Sequence, residues 1–448
     1  MKKTGIIFFP AFDWSLGESH PEREERLLYT QEQIFEEGVM DLPQIKQYSP
    51  NVADLFEVLR TQAIFPSPEE HNLDAHLIAV GSSLILGKAI MAKEIDNGFS
   101  LVRPPGHHSG ATVWGNRGFC TLNNEAILVN HLRANYGIKR IAIIDTDVHH
   151  GDGTQDIFYY DPNVLCISIH QDGRTLYPGT GFIDEKGGPN AWDTILNIPL
   201  APGVGDESIL YTIENWVLPK VEQFKPDLII NSAGQDNHFT DPLASMNVSA
   251  QGYGKITELI KPDLAVLEGG YSIQGALPYI NLAILLSLAG EDYSGIIEPQ
   301  KPQRQEIGGQ AFRSFLSNIK RQHDNIKPSW VIKKDQSLPA GDWIHLERNI
   351  FYDTDYFNEH RKDYIRKCNH CGGTVLVISE RLPTFLKAAL VRIPFEACDV
   401  CEQSGYDLVE LYKKTEKTVL LQNQLKNEVH FWKDSREVRL FEPKNQTT

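Results

Sequence analysis

The sequence predicts an α/β protein with a mostly parallel sheet flanked by helices, followed by a small β-rich C-terminal domain. Over the first three quarters of the chain, short apolar runs typical of strands alternate with longer segments of helical apolar spacing. Such alternation favours a parallel sheet covered on both faces. Four of the apolar runs are followed by polar clusters, at the strand ends where parallel sheets bind ligands. The last quarter has a different texture, with two Cys-x-x-Cys pairs among short β-rich runs.

The predicted elements follow one another along the chain in a regular order. Strands are predicted over residues 6–9, 100–102, 141–145, 164–169, 228–231 and 264–267. Helices are predicted over residues 21–37, 73–92, 123–136, 206–224, 277–289 and 310–330. Prolines and a glycine after the last helix place a domain boundary near residue 335, which gives domains 1–335 and 336–448. Within the second domain, β-rich runs cover residues 374–378 and 389–393.

Composition limits the function classes. The chain has 448 residues, 41% of them hydrophobic and 23% charged, as in a soluble globular protein. A net charge of −16 argues against a protein that grips nucleic-acid phosphates by net charge, so direct nucleic-acid binding is not expected. The apolar start is interrupted by Pro10 and Asp13, which excludes a typical secretory signal. Residues 276–290 fall short of a bilayer span. We therefore expect a cytoplasmic protein without a membrane contact; export by another route and the oligomeric state stay open.

The most informative stretch follows the predicted strand at residues 141–145. Alternation along a strand would place Asp145, Asp147 and His149 on one face. Two carboxylates and an imidazole form a metal site that suits Zn²⁺. A catalytic zinc needs three protein ligands and an open position, so a third ligand is expected from another strand end. Asp236 is the natural candidate and Asp241 the weaker one, because Asp241 lies farther from its strand.

Further chemistry is indicated by a histidine pair and a tyrosine. His107 and His108 follow a Pro-Pro-Gly turn at a strand end, and histidine is the usual general base near neutral pH. Such a base needs an orienting carboxylate, and Asp145 and Asp152 are available beside the ligands. Tyr271 follows two glycines and is placed to donate a hydrogen bond to a developing oxyanion.

Six motifs together resemble those of the zinc-dependent histone deacetylase superfamily, which includes acetylpolyamine amidohydrolases and acetoin-utilisation proteins. They are Arg103-Pro-Pro-Gly-His-His108, Gly118-Phe-Cys-Thr-Leu-Asn-Asn124, the segment 145–152, Tyr177-Pro-Gly-Thr-Gly181, Ser232-Ala-Gly-Gln-Asp236 and Leu267-Glu-Gly-Gly-Tyr271. The resemblance covers roughly residues 1–335 and implies the arginase–deacetylase fold. The last motif looks more like the class II and bacterial branch than class I.

The resemblance implies a role for each matching residue. The catalytic zinc ligands would be Asp147, His149 and Asp236, and the catalytic groups His107, His108, Tyr271, Asp145 and Asp152. Among these, His108 resembles the general base and acid, oriented by Asp152, and His107 the electrostatic partner, oriented by Asp145. Tyr271 resembles the phenol that polarises the substrate carbonyl.

The resemblance also implies substrate and ion sites. Substrate-binding positions would be Gly118, Phe119, Tyr177, Leu243 and Gly270. A structural K⁺ would be held at Asp145, Asp147, His149, Ser168 and Ile169, and Arg26 would line an acetate channel. Tyr177 stands where the family commonly has phenylalanine. Leu243 stands at a rim position where polyamine-selective relatives can carry an acid.

The implied reaction is zinc-dependent hydrolysis of the amide of N-ε-acetyl-lysine, or of another acyl-lysine, in an acylated protein or peptide, with release of acetate. One alternative is a deacetylase of small acetylated amines or polyamines, whose cationic tail would gain no partner from Leu243. A second alternative is a non-catalytic scaffold acting through the C-terminal domain. The complete ligand set argues against the scaffold, and the histidine pair with Tyr271 against an arginase-like dimanganese hydrolase.

The four C-terminal cysteines form a second candidate metal site. Cys368 and Cys371 pair with Cys398 and Cys401 at a spacing typical of a structural, closed Cys₄ zinc site of the zinc-ribbon type. Rubredoxin-like iron and redox-active thiols are the alternatives. Charge in this region is nearly balanced, which favours a protein partner or an intramolecular contact over DNA.

Overall fold

The computed structural model describes residues 2–17, 19–302, 305–333 and 337–440, and it contains two eight-stranded sheets. The expected boundary at residue 335 lies outside the described residues. The parallel first sheet flanked by helices and the β-rich C-terminal region confirm the predicted fold class.

The first domain alternates strands and helices as expected. Strands β1 to β10 are Thr4–Phe9, Ile45–Tyr48, Ala63–Ile64, Asn97–Val102, Thr112–Val113, Ile141–Asp145, Val164–Gln171, Ile195–Leu200, Leu228–Ala233 and Leu264–Leu267. Helices α1 to α10 are Glu25–Glu36, Leu55–Leu59, Asp74–Met91, Asn124–Tyr136, Asp152–Phe158, Asp206–Thr212, Leu218–Phe224, Ala250–Ile260, Leu277–Ala289 and Gly309–Asn325. Sequence patterning missed strands β2, β3, β5 and β8 and helices α2, α5 and α8.

One predicted helix is interrupted. The segment 206–224 forms α6, a π-helical turn at Ile213–Val217 and then α7. Pro219 lies in the first turn of α7, where its missing N–H is tolerated but cannot continue the preceding hydrogen-bond ladder. The apolar spacing alone did not reveal this break.

All strands of the first sheet are parallel, in the order β2-β1-β4-β10-β9-β6-β7-β8. The four strands followed by the polar clusters, β4, β10, β9 and β6, are therefore neighbours. The register aligns the ends of β6, β9 and β10, since Asp145 of β6 pairs with Ser232 of β9, and Ala233 of β9 pairs with Leu267 of β10. Parallel strands end at the same edge of the sheet, so the clusters meet there.

The second sheet is larger than the small zinc-ribbon-type domain that the two cysteine pairs predict. Strands β11 to β18 are Ile332–Lys333, Trp343–Tyr352, Phe357–Arg366, Val375–Leu382, Leu386–Ile393, Thr418–Asn423, Glu428–Lys433 and Arg436–Val438. They follow one another in chain order, antiparallel throughout except for β15 and β16. That parallel pair is joined by helix α11, Asp399–Tyr412, as a parallel connection requires.

The two sheets share an apolar core. One continuous cluster of buried side chains joins Val58, Ile64 and Leu128 of the first domain to Val377 and Leu390 of the second sheet. Charged groups also cross this contact: Arg361 Nη1 of β13 lies 2.6 Å from Asp156 Oδ2 of α5, and both side chains are buried. The second sheet is therefore part of the packed body of the protein.

Helix α3 is long and apolar enough to cross a membrane by length and composition alone. Of its residues, 61% are buried inside the protein. A core helix passes the same test, so this feature is weak evidence for a membrane span.

Candidate active site

Three predicted metal ligands converge at the carboxyl edge of the first sheet. Asp147, His149 and Asp236 each offer a ligand atom within 4.8 Å of the other two, and all three are buried. His149 Nδ1 lies 3.1 Å from both Asp147 Oδ1 and Asp236 Oδ2. The cluster contains Asp236 and not Asp241, which separates the two candidates for the third ligand. Two carboxylates and an imidazole at this separation fit a divalent metal such as Zn²⁺.

The loop after β6 is held by the same carboxylates. β6 ends at Asp145, so strand alternation stops there. Beyond it, Asp145 Oδ1 accepts from the Asp147 N–H and Asp147 Oδ1 from the His149 N–H, both at 2.9 Å. Asp236 Oδ1 accepts from Val148 N–H at 2.9 Å, and Asp147 Oδ2 from Gly269 N–H at 2.7 Å. These bonds orient the predicted ligand side chains and lower the cost of burying their charge.

The histidine pair lies beside the ligand cluster, and each ring has a carboxylate. His107 Nδ1 is 3.0 Å from Asp145 Oδ2, and His108 Nδ1 is 2.8 Å from Asp152 Oδ1. Burial alone would lower the pKa of His107, but Asp147 and Asp145 outweigh burial and raise it to about 10. Burial lowers the pKa of His108 to about 3, aided by His107 and opposed by Asp152. The pKa values of the two neighbouring rings are thus shifted in opposite directions, that of His107 upward and that of His108 downward.

Tyr271 is buried, and its backbone is held by hydrogen bonding. Its N–H donates to Asp241 Oδ2 at 2.7 Å. The guanidinium of Arg26 lies 4.8 Å from the Tyr271 ring centroid, and Arg26 Nε donates to the carbonyl of Gly270 at 2.8 Å. Leu243 N–H donates to the other oxygen of Asp241 at 2.9 Å, so the predicted rim residue is tied to the same loop.

The predicted walls of the substrate passage surround this centre. The ring centroid of Tyr177 is 5.1 Å from that of His108, and that of Phe119 is 5.7 Å from that of Tyr271. Gly118 and Phe119 both have positive φ, +52° and +69°. A Cβ on Gly118 would approach His108 Cδ2 to 2.4 Å, so only glycine fits there.

The predicted potassium residues lie at adjacent strand ends. Asp145 pairs in register with Ser168, and Ile169 follows in β7. Ser168 Oγ is hydrogen-bonded with His170 Nδ1 at 2.8 Å. A bound K⁺ stays a prediction.

Sequence reasoning missed several groups that support the site. Glu268 Oε2 accepts from the N–H groups of Gly106 and His107 at 2.7 and 2.9 Å, which holds the histidine turn. Glu268 belongs to one of the recognised motifs, so a signal existed. Arg117 forms an ion pair with Asp152. Asp353, from the second sheet domain, contacts Gly118 and Tyr177, and no motif marks it.

A cavity of about 570 Å³ lies between the two sheet domains. It is lined on one side by residues that include His108, Asp152 and Tyr177, and on the other by residues of β12 and β13 such as Arg348 and Arg361. The second sheet thus closes one side of the space next to the His108–Asp152 pair.

The four cysteines form a second cluster, at one end of the central strands β13, β14 and β15 of the second sheet. Three Sγ–Sγ separations, Cys368–Cys371, Cys368–Cys398 and Cys371–Cys398, are 3.6, 3.8 and 3.9 Å. A tetrahedral zinc with ~2.3 Å Zn–S bonds requires sulfur separations of about 3.8 Å. All four thiols are free, and disulfide bonds of ~2.05 Å are excluded at these distances.

The cysteine cluster also contacts the first domain. Asn190 Nδ2 donates to the carbonyls of Arg366 and Gly372 at 3.0 and 2.7 Å, and Asn190 Oδ1 accepts from the Cys368 N–H at 3.2 Å. The donor set fits a closed structural metal site that braces this contact.

Comparison with known proteins gives consistent matches. A family model described as "Histone deacetylase domain" matches residues 20–285. A probable deacetylase of Archaeoglobus fulgidus is 42% identical over 325 residues, which are 66% of this chain and 89% of that protein. A histone deacetylase-like amidohydrolase of Pseudomonas aeruginosa is 34% identical over 53% of this chain and 64% of its own length. The crystal structure of the HDA15 HD domain superposes with a TM-score of 0.63, at 27% identity, over 72% of this chain and 94% of that one.

Proposed function

Because the chain belongs to the histone deacetylase family, we propose that it hydrolyses the amide of N-ε-acetyl-lysine, or of another acyl-lysine, in proteins and releases acetate. The main support for this proposal is that the predicted metal ligands and the predicted catalytic groups lie in one buried centre. The ligands are Asp147, His149 and Asp236, and the catalytic groups are the His108–Asp152 pair and Tyr271. The family is zinc-dependent, and both metal sites are compatible with zinc.

In this proposal, Asp147, His149 and Asp236 hold the catalytic Zn²⁺. A zinc there supplies Lewis acidity, which polarises the amide carbonyl and lowers the pKa of a water from ~15.7 toward ~7. Cys368, Cys371, Cys398 and Cys401 hold a structural Zn²⁺, and K⁺ occupies the site at Asp145, Asp147, His149, Ser168 and Ile169.

His108 acts as the general base and then as the general acid. Asp152 fixes Nδ1 of the ring, so Nε2 is the position that accepts a proton from the attacking water. The water oxygen forms a bond to the amide carbon, and His108 returns the proton to the leaving amine nitrogen as the C–N bond breaks. The products are the free lysine amine and acetate. His107, held by Asp145, contributes positive charge beside this centre.

Tyr271 and Gly118 bind the reacting amide. The phenol of Tyr271 donates a hydrogen bond to the carbonyl oxygen as negative charge develops on it. The carbonyl of Gly118 accepts the amide N–H, while Phe119, Tyr177, Leu243 and Gly270 line the acyl-lysine passage. Arg26, beside Tyr271, lines the acetate route.

We place the protein in the cytoplasm and the domain boundary near residue 335.

A second candidate, deacetylation of small acetylated amines, is favoured by one observation. Leu243 supplies no acid at the rim, but Asp353 of the second sheet domain places a carboxylate against Tyr177. A carboxylate there is a partner for the cationic tail of an acetylated polyamine.

A matched substrate panel tests the proposal. Zinc-loaded protein is assayed on an acetyl-lysine peptide, longer acyl-lysine peptides and acetylated polyamines, with His108→Ala as the control variant. Peptide turnover that His108→Ala loses supports the protein deacylase. Turnover of polyamines alone would replace it with the small-amine function, and no turnover on any substrate would contradict both.

A further inference from the structure

The turn between β12 and β13, residues 353–356, reaches from the second sheet domain to the predicted substrate passage. Asp353 Oδ1 accepts from the N–H of Gly118 at 2.9 Å and from the hydroxyl of Tyr177 at 2.9 Å. Two residues on, Asp355 Oδ2 accepts from the N–H of Asn116 at 2.7 Å. One carboxylate oxygen thus joins two wall residues that are 59 positions apart in sequence.

The same end of β12 also contacts the His108–Asp152 pair. The carbonyl of Phe351 accepts from Arg117 Nε at 3.2 Å. Arg117 Nη1 donates to the carbonyl of His108 at 3.0 Å, and its Nη2 forms an ion pair with Asp152. Arg117 is therefore held between the second sheet and the carboxylate that orients His108.

Strand β13 holds the turn in place. Its residues alternate between buried and less buried, and the buried face meets the first domain. Along that face, Glu359 accepts from Thr112 Oγ1 at 2.6 Å, Arg361 pairs with Asp156, and Asp363 accepts from the Tyr160 hydroxyl at 2.7 Å. Buried polar groups satisfied in this way have a single arrangement, which fixes the position of the turn.

The backbone at Phe119 has an unfavourable conformation that neighbouring groups must stabilise. Phe119 has a φ of +69°, a conformation that is unfavourable for a residue with a side chain and persists only where the surroundings impose it. Its neighbour Gly118 packs against the His108 ring. The bond from Gly118 N–H to Asp353 orients the peptide group that precedes Gly118 and so restrains the backbone there.

We propose that Asp353 is a positioning residue of the active site, supplied by the second sheet domain, which fixes Gly118 and Tyr177 in the walls of the substrate passage. The assignment of those two residues as walls rests on the proposed function. This role explains why position 177 is a tyrosine and not a phenylalanine, because the hydroxyl of Tyr177 donates the hydrogen bond to Asp353.

Hydrogen-bond acceptance and charge are separated by two substitutions. Asp353→Ala removes the acceptor, and we expect kcat/KM on an acetyl-lysine peptide to fall by about 10- to 100-fold, as when other supporting hydrogen bonds are lost. Asp353→Asn keeps an oxygen that can accept both bonds, and we expect it to stay within about threefold of the wild type, on the scale of one weak contact. A loss in Asp353→Asn as large as in Asp353→Ala would overturn the proposal, because the charge itself would then be what matters.

A matched control comes from the same turn. Asp355→Ala loses a carboxylate that bonds the neighbouring Asn116 backbone but contacts neither wall residue, and its kcat/KM should change by less than about threefold. Melting temperature and bound zinc should match the wild type in all three variants. An equal loss in Asp355→Ala and Asp353→Ala would reduce Asp353 to a general docking contact.

A double-mutant cycle tests the route through Tyr177. Tyr177→Phe keeps the aromatic wall and removes only the hydroxyl that donates to Asp353. The double variant Asp353→Ala/Tyr177→Phe should be no more impaired than Asp353→Ala alone. Additive losses would show that the two residues act independently and would contradict the proposal.

The test remains decisive if the proposed substrate is wrong. Where the wild type turns over only acetylated polyamines, the Asp353→Ala/Tyr177→Phe double-mutant cycle is run on that substrate, because the charge lost in Asp353→Asn would also weaken the binding of a cationic tail. Where it turns over nothing, the proposed function fails, and the affinity of the zinc-loaded protein for a hydroxamate on a lysine-length chain reports the passage without turnover. Weaker hydroxamate binding by Asp353→Ala, with binding by Asp353→Asn unchanged, supports the positioning role. Equal binding by the wild type, Asp353→Ala and Asp353→Asn overturns it.

Discussion

The two candidate metal sites take their ligands from different kinds of chain segment. Asp147, His149 and Asp236 follow the ends of two neighbouring strands, and all three are buried. The cysteines come as two short pairs, one in the loop between β13 and β14 and one at the start of α11, and three of the four are half-buried. The first site depends on sheet register, the second on two local turns. Substituting a ligand of the first site should therefore abolish turnover with little effect on stability. Substituting a ligand of the cysteine site should lower stability with little effect on turnover.

The largest effect is expected at the buried site. Asp236→Asn keeps an oxygen for the Val148 N–H and removes an anionic metal ligand. We expect turnover to fall about 1,000-fold or more, since the loss of metal binding forfeits several kcal/mol of charge stabilisation. Zinc analysis should give one metal per chain in place of two, with an unchanged melting temperature. Two metals and normal turnover would exclude Asp236 as a ligand.

Tyr271→Phe separates catalysis from metal binding within the same site. The ring keeps its packing against Arg26 and loses only the hydroxyl. Turnover should fall by roughly 100-fold, the usual cost of one oxyanion donor. Both metals should remain bound. A variant as active as the wild type would remove Tyr271 from the mechanism.

The cysteine site should behave in the opposite way. Cys398→Ser should release one metal and lower the melting temperature of the protein by roughly 10 °C, because the metal contributes folding free energy directly. The catalytic metal should stay. Calorimetry combined with zinc analysis checks both statements, and Cys166→Ser, at a buried thiol outside either site, is the control. A variant that keeps both metals would refute the Cys₄ assignment.

A smaller effect is expected at the contact between the sheets, which belongs to neither metal site. Burial opposes ionisation of Asp156, but Arg361 and Arg348 outweigh burial and lower its pKa to about 2. A lowered pKa stabilises the folded state above the ordinary value near 4, and this stabilisation is lost as the pH falls from about 4 to about 2. Asp156→Asn should thus be less stable than the wild type by roughly 2–3 kcal/mol at pH 7. Urea unfolding at a series of pH values should show the gap closing toward pH 2; a gap that does not depend on pH would assign the loss to packing.

The sequence was most informative where function depends on short segments. Asp147, His149 and Asp236 could be placed at strand ends from apolar runs and polar clusters, and the cysteine pairs from their spacing. Strand alternation alone does not bring Asp147 and His149 together. Strand β6 ends at Asp145, and the hydrogen bonds of the following loop bring these side chains together.

What depends on long-range packing could not be predicted in this way. Asp353 lies in a turn without any catalytic signature, 235 positions from its partner Gly118. The cysteine pairs and two short β-rich runs predict only a small module. Strands β12 and β13 carry charged residues, Arg348 and Arg361, on the face that packs against the first domain, and sequence patterning does not mark such a face as buried. Arg361 and Glu359 each take one partner from the first domain, Asp156 and Thr112, and only the folded protein brings these pairs into contact.

The shared core gives the protein a particular order of events during synthesis. Val58, Ile64 and Leu128 leave the ribosome long before Val377 and Leu390, which complete the same cluster. At about 5–20 residues per second, the roughly 100 residues of the second sheet take on the order of 5–20 s to be made. For that interval the nascent first domain exposes apolar surface to water, which is the condition that chaperones recognise. A gene fragment that ends after the first domain would leave this surface open for the life of the protein.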